Sequence, residues 1–265
     1  MKKWILPLAF VLLLIAGCGN EAESGSVEET EGGDIIKIGS SPDGYPLSFQ
    51  EDGEVKGFNA DIYNAIFDAL GYEIEWVMTD WTGVLANLDT GNVDTASNFA
   101  MTPERAEKYT FSDPYYNSKA AVAVAQGNET IQSIDDLEGA EVGTILGTNF
   151  QNVLNEEYPD HGGEIIDYEN NEVVYNDVIA GKIDAYLYGR EQLLAMINDR
   201  DIALEIAGEP FGVQPVALPF KDTPENQELI SDINEVLADL RSDGTLAEIS
   251  EKWYGMNIYE EETAE

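Results

Sequence analysis

The sequence predicts an α/β protein built from two α/β units, and three observations carry that prediction. Strand-like runs alternate with amphipathic helical runs, the first helical runs stop at or near Gly71 and Gly91, and the alternation begins afresh after Tyr116.

The elements follow in order. Ile35-Ile36-Lys37-Ile38-Gly39 reads as a strand. Residues 59–70 set Ile62, Ala65, Ile66, Ala69 and Leu70 at helical spacing before Gly71, a helix and its closing glycine. Glu73-Ile74-Glu75-Trp76-Val77 alternates as a strand does, 81–88 repeats the helical pattern, and 93–97 is a short strand. A β-α-β-α-β series implies a mainly parallel sheet covered by helices. The second series has strands over 120–125, 141–146, 164–168, 183–188 and 212–218. Between them lie a capped helical turn at 133–137 and helices over 149–158 and 172–180. Two amphipathic helices, 224–241 and 245–254, finish the chain. No repeat is visible at the residue level. A cleft between two such units would take a ligand at the strand carboxyl ends.

The amino-terminal segment is of another kind. Met1-Lys2-Lys3 precedes an apolar run from Trp4 to Ile15 and then Ala16-Gly17-Cys18, the parts of a secretory signal peptide. The run is shorter than the roughly 20 residues a spanning helix needs. Leu14-Ile15-Ala16-Gly17-Cys18 resembles the lipobox of bacterial lipoproteins, which implies cleavage of residues 1–17 and lipidation of Cys18, with diacylglycerol and palmitate as the expected lipids. Cys18 is the only cysteine, so no disulfide framework competes for it. Residues 18–33, rich in Glu, Gly and Ser, read as a disordered tether. The expected location is the outer face of the cytoplasmic membrane, anchored to it rather than passing through.

Composition excludes several classes. Against 52 Asp+Glu the chain has 13 Lys+Arg, a net charge of -39, so nucleic acid is not an expected partner. The single histidine, His161, sits in a Pro-Asp-His-Gly-Gly turn without a second ligand at metal spacing; no metal or cofactor is expected. A G-x-S-x-G elbow, a P-loop and a G-x-G-x-x-G are absent from the sequence.

Local sequences then carry a family resemblance. They are Gly57-Phe58-Asn59-Ala60-Asp61; Trp81 to Leu88 with Gly91-Asn92-Val93-Asp94; and Thr102-Pro103-Glu104-Arg105 with Phe111-Ser112-Asp113-Pro114-Tyr115-Tyr116. Gly143 with Gly147-Thr148, and Asp243-Gly244-Thr245-Leu246 with Lys252-Trp253-Tyr254-Gly255, complete the series. In this order they resemble the polar amino-acid-binding proteins of ABC importers, the family 3 solute-binding proteins, over about residues 35–257. The resemblance implies a two-lobed periplasmic-binding-protein type II (flytrap) fold with two hinge strands. Lobe 1 would be 34–118 and 214–257, lobe 2 would be 119–213, and 258–265 an acidic tail. It implies a monomer that binds a small amino-acid-like ligand and hands it to a membrane permease served by an ATPase subunit.

By the same resemblance, Arg105 pairs the ligand carboxylate through its guanidinium fork. The Thr148 hydroxyl and the backbone N–H groups of Thr148 and Asn149 offer further donors at a helix start. Tyr45 and Trp81 are aromatic walls, and Ser41, Ser97, Asn98 and Phe99 belong to the site, the last three near the ammonium. Phe150 fits either the cleft or a core. Two departures stand out. Ala100 replaces a Thr or Ser, as in the cystine-binding branch, which also has an Asn where Asn98 stands. Gly189 replaces the Asp that usually pairs the ammonium, leaving Glu191 or another acid to do so. The expectation is a binding protein, not an enzyme. The alternative is a flytrap-fold enzyme such as a cyclic-acid dehydratase, with Glu191 as its candidate acid or base. A sensory module would call for a membrane span and an output domain.

Overall fold

A computed structural model describes residues 34–261. The expected signal peptide and lipidated tether, Cys18 among them, and residues 262–265 lie outside the described residues.

The chain begins with β1 (Ile35–Ser40), then an antiparallel set of short strands β2 (Asp43–Gly44), β3 (Ser48–Glu51) and β4 (Glu54–Lys56). Helix α1 (Phe58–Leu70) follows, and its start depends on Gly57. That residue has φ +131, and a Cβ there would lie 2.3 Å from the Leu47 carbonyl oxygen. Only glycine fits so close a backbone approach. Ile62, Tyr63, Ile66 and Phe67 form the helix's buried stripe. Next come β5 (Glu73–Met78), α2 (Trp81–Thr90), β6 (Thr95–Ala96), α3 (Pro103–Ala106) and β7 (Thr110–Phe111). β1 lies between β5 and β6, parallel to both, as the alternation predicts.

The second series is β8 (Tyr116–Ala125), a 3-10 turn (Ile134–Asp136), β9 (Glu141–Ile145), α4 (Phe150–Glu157), β10 (Glu164–Tyr168), α5 (Asn171–Ile179), β11 (Ala185–Gly189), α6 (Arg190–Asp199) and β12 (Leu204–Val216). Its five-stranded sheet runs β10-β9-β11-β8-β12. β9 is parallel to β10 and β11, while β8 is antiparallel to β11 and β12. The chain closes with β13 (Pro219–Phe220), which pairs with β7, and helices α7 (Pro224–Ser242), α8 (Thr245–Tyr254) and α9 (Ile258–Glu261).

Side chains condense into separate cores. One gathers Val122, Val142, Leu154, Val174, Leu187 and Leu193 around the five-stranded sheet. Another joins Ile38, Phe58, Ile62 and Phe67 to Leu218, Phe220, Ile233, Leu237 and Leu246 from the end of the chain. A smaller cluster under α2 contains Val84, Leu88, Ala96 and Phe99. β8 and β12 pair from Tyr116–Val216 in the core around α1 to Leu204–Ala125 at the core of the five-stranded sheet. The molecule is therefore two-lobed, with these strands running from lobe to lobe.

Several elements exceed the sequence reading. β12 starts at Leu204 rather than 212, with register shifts around Phe211. Gly208, Gly212 and Pro215 disguised it, yet β12 is the sheet's last strand, where proline and bulges are tolerated. Helix α6 was not foreseen, nor were β2–β4. The segment expected as an acidic tail begins as α9, with Ile258 buried in the α1 core and its N–H donated to Ser250 Oγ at 3.0 Å.

Candidate ligand cleft

A cavity of about 770 Å³, its open mouth included, has walls from both lobes. Ser40 ends β1, Ser97 follows β6, Ile145 ends β9 and Glu169 follows β10, so the cavity sits at strand carboxyl ends.

On the first lobe, Ser97 Oγ lies 2.7 Å from Ser40 Oγ and 3.3 Å from Ser48 Oγ, three buried hydroxyls in one cluster. Asn98 adopts φ +55, a conformation Asn tolerates better than most residues. Its Oδ1 accepts the phenol proton of buried Tyr116 at 2.8 Å. Ser41 Oγ donates to Asp43 Oδ1 at 2.6 Å.

Arg105 rides on the short helix α3, which opens with Thr102 as cap and Pro103 in its first turn. Its guanidinium sits 4.3 Å from the Phe99 ring centroid and 5.8 Å from that of Trp81. It donates to the Ala100 carbonyl at 3.0 Å and across the cleft to the Gly147 carbonyl at 3.3 Å. Burial lowers its pKa to about 10, so it stays charged at neutral pH. Among the described residues no carboxylate forms an ion pair with it. Trp81 Nε1 donates to the same Gly147 oxygen at 2.9 Å. Gly147 has φ +78, and a Cβ there would press within 3.4 Å of the indole.

The second lobe contributes Thr148, Asn149, Phe150, Glu169, Asn171 and Tyr188. Here one expectation is corrected: both the Thr148 hydroxyl and its N–H donate to the Ile145 carbonyl, at 2.7 and 3.1 Å. They are spent on the turn into α4. The first N–H groups of that helix lack intrahelical acceptors and remain as the donors at this end. Asn149 Nδ2 donates to Gln214 Oε1 at 2.7 Å. Phe150 both lines the cavity and packs on Tyr188, with centroids 5.3 Å apart.

Of the expected site residues, Ser41, Trp81, Ser97, Asn98, Arg105, Thr148 and Asn149 line this cavity; Tyr45, Phe99 and Gly189 do not. Phe99 is fully buried and acts as the platform beneath Arg105. Tyr45 turns to the far lobe, donating to Asp199 Oδ2 at 3.0 Å. Gly189 precedes α6, and a Cβ there would meet Gln192 Oε1 at 2.1 Å. Glu191 does not reach the cleft. It lines a second cavity with Arg190, Trp253 and Tyr254, which removes the candidate acid of the enzyme alternative from the ligand's reach.

Two acids that do line the cleft escaped the sequence reading, Asp43 and Glu169. Asp43 Oδ2 also accepts from Asn171 of the other lobe, from N at 3.4 Å and Nδ2 at 3.3 Å. The only signal for either was an acid shortly after a strand. One guanidinium and two carboxylates in one polar cavity suit a small ligand that carries both signs of charge. Among the described residues no group of three or more His, Cys, Asp or Glu could hold a metal ion, and no helix is long and apolar enough to cross a membrane.

A two-lobed α/β body with a charged cleft between the lobes is a fold that takes a small solute between its lobes. Residues 36–256 match the bacterial extracellular solute-binding proteins, family 3, and the chain belongs to that family. It is 34% identical over 260 residues to the probable amino-acid-binding protein YxeM of Bacillus subtilis (strain 168), covering 97% of each chain. It is 32% identical over 250 residues to the L-cystine-binding protein TcyJ of Escherichia coli (strain K12), covering 92% of each. Among solved structures, an ancestral arginine-binding protein bound to arginine superposes with a TM-score of 0.75 at 29% identity. That match covers 83% of this chain and 98% of the other.

Proposed function

We propose that this protein captures a polar α-amino acid between its lobes and delivers it to the permease of an ABC importer, whose ATPase subunit works on the opposite face. The observation that carries this reading is Arg105, a desolvated cation in the cleft with no ion-pair partner among the described residues. A ligand carboxylate completes it with a two-to-two fork. Asp43 or Glu169 takes the ammonium in place of the acid missing at Gly189. L-cystine is the favoured cargo. The kinship with a protein named for L-cystine supports it, as do Asn98 and Ala100, and its two ammonium groups suit two carboxylates. The protein acts as a monomer held to the membrane by lipidated Cys18. Lobe 1 comprises 34–118 and 214–257, lobe 2 comprises 119–213, and closure selects the form the permease accepts.

A thermal-shift screen against amino acids, L-cystine and small organic acids tests the reading. L-cystine at about 100 times its Kd should add about 2.7 kcal/mol of apparent stability. If no amino acid raises Tm while a cyclic acid is consumed, the binding reading fails and the enzyme alternative replaces it.

A further inference from the structure

Tyr45 belongs to the first lobe, beside β2, yet its partners are at the far end of α6 in the second. Its hydroxyl donates to Asp199 Oδ2 at 3.0 Å, and the Arg200 guanidinium lies 4.1 Å from its ring centroid. Arg200 also stands 5.9 Å from the Phe49 ring, which packs edge-on against Tyr45 at 5.0 Å and against Trp253 at 5.8 Å. None of Tyr45, Phe49, Asp199 and Arg200 lines the ligand cleft.

We infer that Tyr45, Asp199 and Arg200 form a latch outside the ligand site that sets the protein's affinity by holding the lobes together. The contacts that cleft residues make between the lobes differ in kind. Trp81 and Arg105 to Gly147, and Asp43 to Asn171, are made by cleft residues and must rearrange around whatever the cleft receives. The latch keeps its geometry whatever the cargo. It combines a hydrogen bond to a charged acceptor with a cation over an aromatic face, each modest at an exposed site. Both vanish when the lobes part, so both favour the closed form alone. Apparent affinity scales with the fraction of protein that is closed, so the latch acts on every ligand alike. These are positioning residues, since none touches the ligand.

The test uses Tyr45→Phe, which keeps the ring under Arg200 and deletes the hydroxyl, and Arg200→Ala, which deletes the cation. Dissociation of L-cystine is followed by stopped-flow tryptophan fluorescence of the full chain, and lobe closure by small-angle X-ray scattering without and with L-cystine. Each variant should speed dissociation roughly threefold to tenfold. Association should change little, and unliganded Tm should stay within about 2 °C of the parent's. The ligand-free radius of gyration should rise. Dissociation rates and scattering curves that match the parent's would overturn the latch. If the parent does not bind L-cystine at all, the cargo assignment fails by itself and ligand-free scattering decides the latch: a more open variant supports it, an unchanged one refutes it.

Discussion

Replacing Arg105 by methionine separates binding from folding more cleanly than any other change in the cleft. Burial lowers the guanidinium pKa from its ordinary value to about 10, a difference worth about 3 kcal/mol against keeping the charge in place. Offsetting it are two hydrogen bonds to carbonyls, at about 1 kcal/mol each or somewhat more, and the Phe99 face, at about 1 kcal/mol. The opposing effects nearly cancel. Methionine fills much of the same space over Phe99, so unliganded Tm should move by no more than about 3 °C. Ligand binding has no such compensation. A carboxylate closed into the cleft without its cation loses about 3–5 kcal/mol, a factor of 100 or more in Kd. Differential scanning fluorimetry with and without L-cystine reads both quantities. In the parent, saturating ligand should raise Tm by about 5–10 °C, and in Arg105→Met by nothing measurable. A variant that keeps the ligand-induced rise removes Arg105 from the site. A variant that loses more than about 3 kcal/mol without ligand shows that Arg105 serves the fold instead.

Other changes probe the scaffold. Trp81→Phe keeps a ring beside Arg105 but removes the indole N–H to Gly147, and should weaken ligand binding about fivefold by titration calorimetry. Gly57→Ala drives a Cβ to 2.3 Å from the Leu47 carbonyl and should cost at least about 3 kcal/mol in urea unfolding. Asp80 caps α2, accepting from the Thr82 hydroxyl and the Gly83 N–H at 2.7 Å each, and these bonds lower its pKa. An acid depressed in this way stabilises the fold above its unfolded value near 4 and loses that contribution as pH falls through the lower folded value. Asp80→Ala should therefore cost about 1 kcal/mol at pH 7, and the gap to the parent should narrow below about pH 4. A gap that persists at pH 2 would refute the capping account.

The regular elements were legible because their periodicity reports burial directly. The stripe of α1 and the alternation of β5 each name a face. Arg105 was legible through an ordered set of motifs, and the structure gives it a physical setting: a platform of Phe99 and two carbonyl acceptors. Asp43 and Glu169 were not legible. Asp43 sits in the two-residue strand β2 and Glu169 just past β10, neither with a period or motif, and they share a cavity only because two distant segments meet across the cleft. Tyr45 shows the converse. An aromatic beside a binding motif suggested a cleft wall, but the turn from β2 to β3 aims it at α6, itself hidden behind the departure at Gly189. Loop direction and lobe apposition are tertiary facts that one sequence does not encode locally. Thr148 erred for a smaller reason, since a hydroxyl at a helix start can serve the preceding carbonyl as readily as a ligand.

The core around α1 holds Ile36 near one end of the described chain and Ile258 near the other. Among the described residues, the buried side chains of the core around the five-stranded sheet lie between Ala120 and Phe211, with the half-buried Trp81 packed against them. A chain that emerges amino end first can finish the second core while the first still waits for its last helices. Assembly then runs from the inserted lobe outward, and the cleft waits for α7 and α8, which complete the core around α1. A chain ending at Ser242 should keep amide-exchange protection in β9 and β11 and lose it in α1; equal loss in both would mean that the two cores form as one.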